Sequence, residues 1–219
     1  MRVRLIALAA TLAIAAPLAI AAPLVAQQAM QTPGQKNPAL VTAGSYTADP
    51  GHTLVEWTVD HLGFTPYFGL FGDVSGTLTL DPKNLSAAKV DVTIPVSKVT
   101  TASAGLTAHL LHAPKEAGGK PDFFGANPAD ARFVSTRVVA TGQTAKVTGN
   151  LTLNGVTKPV TLDASFYGAG KAPEQMGGKE AIGFEAKGVI KRSDFGVAYG
   201  IPMVSDEVKL KIVAAFNKN

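Results

Sequence analysis

From Leu54 to the C-terminus, apolar and polar residues alternate with a period of two. Val55, Trp57 and Val59 oppose Glu56, Thr58 and Asp60, and Val90, Val92 and Ile94 oppose Lys89, Asp91 and Thr93. The same rhythm runs through 74–80, 146–153, 160–166, 182–190 and 207–212, and less regularly through 133–139. A period of two puts the apolar residues of a segment on one face of a β-strand. A short strand at 45–48 opens the domain. The pattern predicts an all-β protein of about eight antiparallel strands, closed as a barrel or packed as a sandwich.

The punctuation agrees. Asn154-Gly155 lies between two alternating runs and predicts a two-residue hairpin turn, since both positions need positive φ. Asp81-Pro82-Lys83-Asn84 and Thr141-Gly142-Gln143 are further turns. Two stretches break the rhythm. Residues 61–71 are rich in aromatics and glycine. Residues 101–112 contain no proline and predict a short helix, followed by a loop with Gly118-Gly119 and Phe123-Phe124.

The N-terminus reads differently. Arg2 and Arg4 precede an apolar run, Leu5 to Ala22, with small residues at Ala19, Ala21, Ala26 and Ala29. This is the pattern of a cleaved secretory signal over 1–26, with a retained transmembrane anchor as the other reading of the apolar run. Residues 27–44, with their Gln, Pro and Thr, read as a flexible linker, leaving 45–219 as the domain. The chain of 219 residues has no cysteine. Disulfides, thiolate metal sites and thiol catalysis are therefore excluded. The net charge of +4 is spread along the chain, so no basic stripe for nucleic acid is formed, although the balance favours approach to an anionic membrane.

Candidate chemistry is sparse. His109 and His112 are three residues apart and would share a helix face, with Asp122 following. An H-x-x-H pair without a third ligand is a weak metal signature, and no metal or cofactor is assigned. His61 precedes the aromatic segment and is a candidate to orient a ligand head group; a structural histidine explains it equally well. No serine sits in a G-x-S-x-G elbow. Arg192-Ser193-Asp194 reads as a turn whose side chains cap backbone groups. No catalytic residue is named and the chain does not read as an enzyme. Phe64, Phe68, Phe71, Phe123, Phe124 and Phe195 fall in irregular connections, where aromatics either cover an apolar cavity or pack a barrel end.

Several motifs together carry a resemblance. They are Asp49-Pro50-Gly51-His52, Trp57-x-Val59, His61-Leu62-Gly63, Gly69-x-Phe71-x-Asp73-Val74-x-Gly76, Gly149 to Val160, Arg192 to Gly196, and Val204-Ser205-Asp206-Glu207-Val208. In order and spacing the chain resembles the YceI-like family of bacterial periplasmic proteins over about 45–217. The resemblance implies an extended lipocalin-like antiparallel barrel holding a long-chain amphiphile: a polyisoprenoid, an isoprenoid quinone or a fatty amide. His61 and His109-Leu110 fall on positions typical of the family. Leu106, Thr107 and Ala108 replace charged residues common there, and 112–121 is an insertion.

The expected ligand-binding residues are Trp57, Val59, Val92, Leu151, Phe166 and Phe184 on the inner wall. Leu62, Phe64, Phe68 and Phe71 are expected at the wall or mouth, with His61 near the head group. Transient membrane contact and a homodimer are open as partners. Three other readings stay open: a membrane-spanning barrel with its apolar face outward, a filled structural barrel or sandwich with no ligand, and a metalloenzyme using His109 and His112.

Overall fold

The computed structural model describes residues 32–219. The expected signal, 1–26, and residues 27–31 lie outside the described residues. The described residues form ten strands: β1 (Gly44–Ala48), β2 (Leu54–His61), β3 (Thr65–Phe71), β4 (Ser75–Leu80), β5 (Lys89–Ile94), β6 (Ala131–Thr141), β7 (Thr144–Leu153), β8 (Val156–Lys171), β9 (Glu180–Lys191) and β10 (Glu207–Lys218). The helix expected within 101–112 is α1 (Ala104–Leu110), capped by Ser103, whose hydroxyl accepts from the Leu106 N–H.

Eight strands close a ring in the order β1-β4-β5-β6-β7-β8-β9-β10, and β10 returns to β1. Every neighbouring pair is antiparallel. β10 has two partners on one edge. Its C-terminal part pairs with β1 (Ala48 opposite Phe216), and its N-terminal part pairs with β2 (Trp57 opposite Leu210). The β2–β3 hairpin therefore leaves the ring as a two-stranded extension. β3 falls in the aromatic segment that broke the alternation. Pro66, Gly69 and the exposed Phe68 deprive it of an apolar-in, polar-out pattern.

The ring buries its apolar face inward. Lys209 and Lys211 alternate with the inward Leu210 and Ile212, and outward Lys146 meets Asp163 at 2.6 Å. Charges on the outer wall would be costly against lipid, so the polarity is the reverse of a membrane-spanning barrel. The Asn154-Gly155 turn forms as expected, with φ of 51° and 76°. Asn154 also donates from Nδ2 to the Phe195 carbonyl at 3.0 Å, tying this turn to the loop between β9 and β10. Asn154→Ala is expected to lose about 1–2 kcal/mol of stability, from the lost bond and the left-handed backbone. The urea midpoint measures this.

Residues 32–43, read from composition as a flexible linker, lie against the barrel. Gln35 and Ala169 exchange two backbone hydrogen bonds of 2.9 Å. Asn37 caps a short 3-10 turn at Pro38–Leu40, and Tyr46 donates its hydroxyl to the Thr42 carbonyl at 2.6 Å. The cause is strand length. β7 begins opposite Ser165, so the rest of β8 presents unpaired backbone groups to the N-terminal segment. Gly170 permits the approach, since a Cβ there would come within 2.0 Å of the Pro33 carbonyl oxygen.

Candidate functional site

An eight-stranded barrel is just wide enough for side chains to fill it, provided they are large. Here one row across the wall is small. Ala140 on β6 lies opposite Ala145 on β7, which lies opposite Ala164 on β8, which lies opposite Ala186 on β9. All four face inward, and Ala186 is followed by Ile212 on β10. Where four neighbouring strands present only methyl groups, the interior stays hollow. The resulting cavity has a volume of about 350 Å³, within the range of small-molecule sites.

The cavity runs along the barrel axis. Val55, Phe71, Ile94 and Leu153 line it towards the β7–β8 turn, and Phe166, Ile182, Phe184 and Phe216 line the other half. Pro38 and Val41 of the N-terminal segment also contribute. Among the described residues, none that lines the cavity is ionisable. The polar lining residues are Thr53, Gln143, Thr144 and Ser165. Thr53 is satisfied, since its hydroxyl donates to the Ala215 carbonyl and accepts from the Ala215 N–H. Gln143, Thr144 and Ser165 border the cavity at the β6–β7 turn, where Thr144 and Ser165 alternate with the inward Ala145 and Ala164 and so turn their side chains outward, while Gln143 is exposed at the turn itself.

Of the residues expected at the cavity, Phe71, Val92, Leu151, Phe166 and Phe184 line it. Trp57, Val59, His61, Leu62, Phe64 and Phe68 belong to the β2–β3 extension and lie outside its lining. Trp57 shares the inner face of Val55, but its indole crosses onto β3. A Cβ at Gly69 would come within 2.4 Å of the indole ring. Its Nε1–H is buried without a hydrogen-bond partner among the described residues. Phe64 and Phe68 are 87% and 60% exposed. Residues that sequence reasoning passed over are the four alanines, which occupy inward positions of readable alternation.

His109 and His112 do not converge. His109 Nε2 is 2.8 Å from Asp122, and His112 Nδ1 donates to the Ala113 carbonyl at 2.6 Å. The His109 hydrogen bond, together with Lys115, holds the Asp122 carboxyl below its usual range against the opposing effect of burial. This pair closes the divergent loop onto α1, with His109 edge-on to Phe123 and Tyr199. The cavity lies elsewhere.

Arg192 is 6% exposed. Its guanidinium donates to the carbonyls of Ser205, Val197, Tyr199 and Val204 at 2.8–2.9 Å. Four bonds to backbone carbonyls shape the loop between β9 and β10 around one cation. Burial pushes the Arg192 pKa down and Asp206 opposes this. Asp206 accepts from the Ser193 N–H at 2.9 Å and hydroxyl at 2.7 Å, and these bonds hold its carboxyl below the usual range. A lowered carboxylate contributes stability in full above its unfolded value, about 3.9. The contribution is lost as pH falls through the lowered folded value. The Ser193 amide resonance is therefore expected to titrate below pH ~4, with protection of 192–206 falling alongside it. An acid NMR titration measures both.

Comparison with known proteins agrees with this architecture. Residues 46–216 match the YceI-like domain. A UPF0312 protein of Pseudomonas paraeruginosa is 42% identical over 181 residues, covering 78% of this chain and 88% of that one. Protein YceI of Salmonella arizonae is 44% identical over 162 residues, covering 74% and 79%. A polyisoprenoid binding domain from Saccharophagus degradans has the same fold, with a TM-score of 0.54 at 13% identity over 80% of this chain and 98% of that one. The closed barrel, its motifs and these relatives together establish that the chain belongs to the YceI-like domain family.

Proposed function

We propose that this protein sequesters and carries a long-chain amphiphilic lipid in the barrel cavity. A polyisoprenoid, an isoprenoid quinone or a fatty amide fits the chemistry. The carrying observation is the cavity itself: an axial apolar space with no ionisable lining residue, kept open by the row from Ala140 to Ala186. Each methylene transferred from water into such a space contributes about 0.8 kcal/mol. The tail lies along the axis. The head group lies at the β6–β7 turn, beside the exposed Gln143. No covalent step is needed, and no catalytic residue is assigned.

The family match supports a binding barrel, and the Saccharophagus degradans barrel is a polyisoprenoid binding domain. The N-terminal pattern of Arg2, Arg4 and the apolar run to Ala22 supports export, so the compartment we propose is the periplasm. There a lipid needs a protein to cross water. A chain-length series tests the reading. Fatty amides displacing an environment-sensitive fluorophore are expected to bind up to about fourfold tighter per added methylene, then to level off once the tail fills the axis. Absence of any chain-length dependence would leave a filled structural barrel as the better description.

A further inference from the structure

The end of the barrel opposite the β6–β7 turn carries an apolar surface that the cavity does not use. The β2–β3 turn presents Leu62 and Phe64, 40% and 87% exposed. The loop shaped by Arg192 presents Tyr199, Ile201 and Met203, 46%, 36% and 61% exposed. The two loops are joined. The Leu62 N–H donates to the Met203 carbonyl at 2.8 Å, His61 pairs with Val204, and the Ser205 N–H donates to the Asp60 carbonyl at 3.0 Å.

Three further observations bear on what this surface meets. Residues 61–72 and 195–204 contain no Asp, Glu, Lys or Arg. Leu62 and Gly63 have φ of 61° and 71°, and the Phe64 N–H closes the turn onto the His61 carbonyl at 3.1 Å. Such a turn favours Asn, Asp or Gly at both central positions, and an exposed site favours a polar residue. Leu62 is unfavourable on both counts, and strain of this kind persists where a function requires the side chain. Charged groups border the tip on both sides: the Asp60 carboxylate accepts from the Gly63 N–H at 2.7 Å at the base of the turn, and the Lys115 ammonium lies over the Tyr199 ring at 5.9 Å from its centroid.

We infer that this tip docks the protein onto a lipid bilayer, with Leu62, Phe64, Ile201 and Met203 entering the acyl region. Hydrocarbon penalises every charge, whereas a protein partner tolerates a charged rim, so the uncharged stretches point to lipid. A tyrosine and a lysine at the margin match the polarity of the headgroup layer. A convex hairpin with a phenylalanine almost wholly in solvent needs no shaped pocket in a fluid phase. Docking by this end leaves the β6–β7 turn, with Gln143, facing water.

The test is flotation of the exported protein, purified after its signal has been removed, with phosphatidylcholine vesicles at low and high salt, comparing wild type with Leu62→Asn, Phe64→Ser and Met203→Ser. Wild type is expected to float at both salt concentrations. Each change is expected to lower partition about tenfold, the worth of one buried apolar side chain. Leu62→Asn relieves the turn, so its melting temperature should hold or rise and its loss of binding cannot be unfolding. Wild type that fails to float, binding abolished by salt, or variants that float as well as wild type would overturn the inference. So would concentration-dependent self-association that the same changes dissolve, or capture of a protein partner by a wild type that does not float. The lipid content of each preparation reads the cavity separately, so tip and cavity can fail independently.

Discussion

Ala164→Phe and Ala186→Phe are each expected to lower lipid affinity by roughly two orders of magnitude while leaving the barrel folded. The two alanines face each other across β8 and β9 in the middle of the small-residue row. A phenyl ring on either projects into the cavity and displaces about four methylenes of tail, worth about 3 kcal/mol. In a packed core such an insertion costs about 1–3 kcal/mol of stability. Here the ring enters existing space, so the melting temperature should change little. The fluorophore displacement assay reads the affinity and thermal denaturation reads the fold. A Phe variant that lost about 1–3 kcal/mol of stability yet bound lipid normally would mean that the interior is not hollow at this row. A control at Val139, which is 45% exposed, should alter neither readout.

Arg192→Ala is expected to destabilise the protein by about 3–5 kcal/mol, the usual cost of removing one side of a buried charged network. Four carbonyls lose their donor together, and loop 197–205 loses the centre around which it is wound. For a domain of this size the melting temperature should fall by roughly 6–20 °C. Arg192→Lys should recover only part of the loss. An ammonium has three donors at a single point, whereas the planar guanidinium spreads its five in a fixed fork. Hydrogen exchange localises the effect: amides of 197–205 should lose protection before those of β6 to β8. A fall in stability spread evenly over the barrel, with the loop still protected, would contradict this role.

The legible part of the fold was the part governed by local periodicity. Alternation identified inward residues such as Val92, Leu151, Phe166 and Phe184, and dipeptide chemistry identified the Asn154-Gly155 turn. Closure of the ring was not local. Alternation continues through Trp57 and Val59, and nothing in it says that β10 hands its edge from β2 to β1 between Val213 and Phe216. Those residues were therefore expected inside the cavity when their hairpin leaves the ring. The alanine row has the same origin. Ala140, Ala145, Ala164 and Ala186 are each unremarkable alone, and they form a belt only through the register of four strands.

Arg192 illustrates a second limit. Beside Ser193 and Asp194 it reads as a turn residue, and the turn does form, with the Asp206 carboxylate accepting from both the N–H and the hydroxyl of Ser193. Its burial depends on the path of 197–205, which the sequence marks only by its lack of charge. The N-terminal segment shows a third. Composition rich in Gln, Pro and Thr reads as linker, yet the overhang of β8 offers it backbone partners. Those partners exist because β7 and β8 differ in length, which no reading of 32–43 itself could reveal.

The hollow interior is the claim on which the functional account stands, and native mass spectrometry of the protein taken gently from its own cells addresses it most directly. The account predicts a mass above that of the polypeptide by one amphiphilic lipid, recovered in an organic extract and absent from the Ala164→Phe preparation. A polypeptide that carries no adduct, and that takes up none when offered long-chain prenols, quinones or amides, would contradict it.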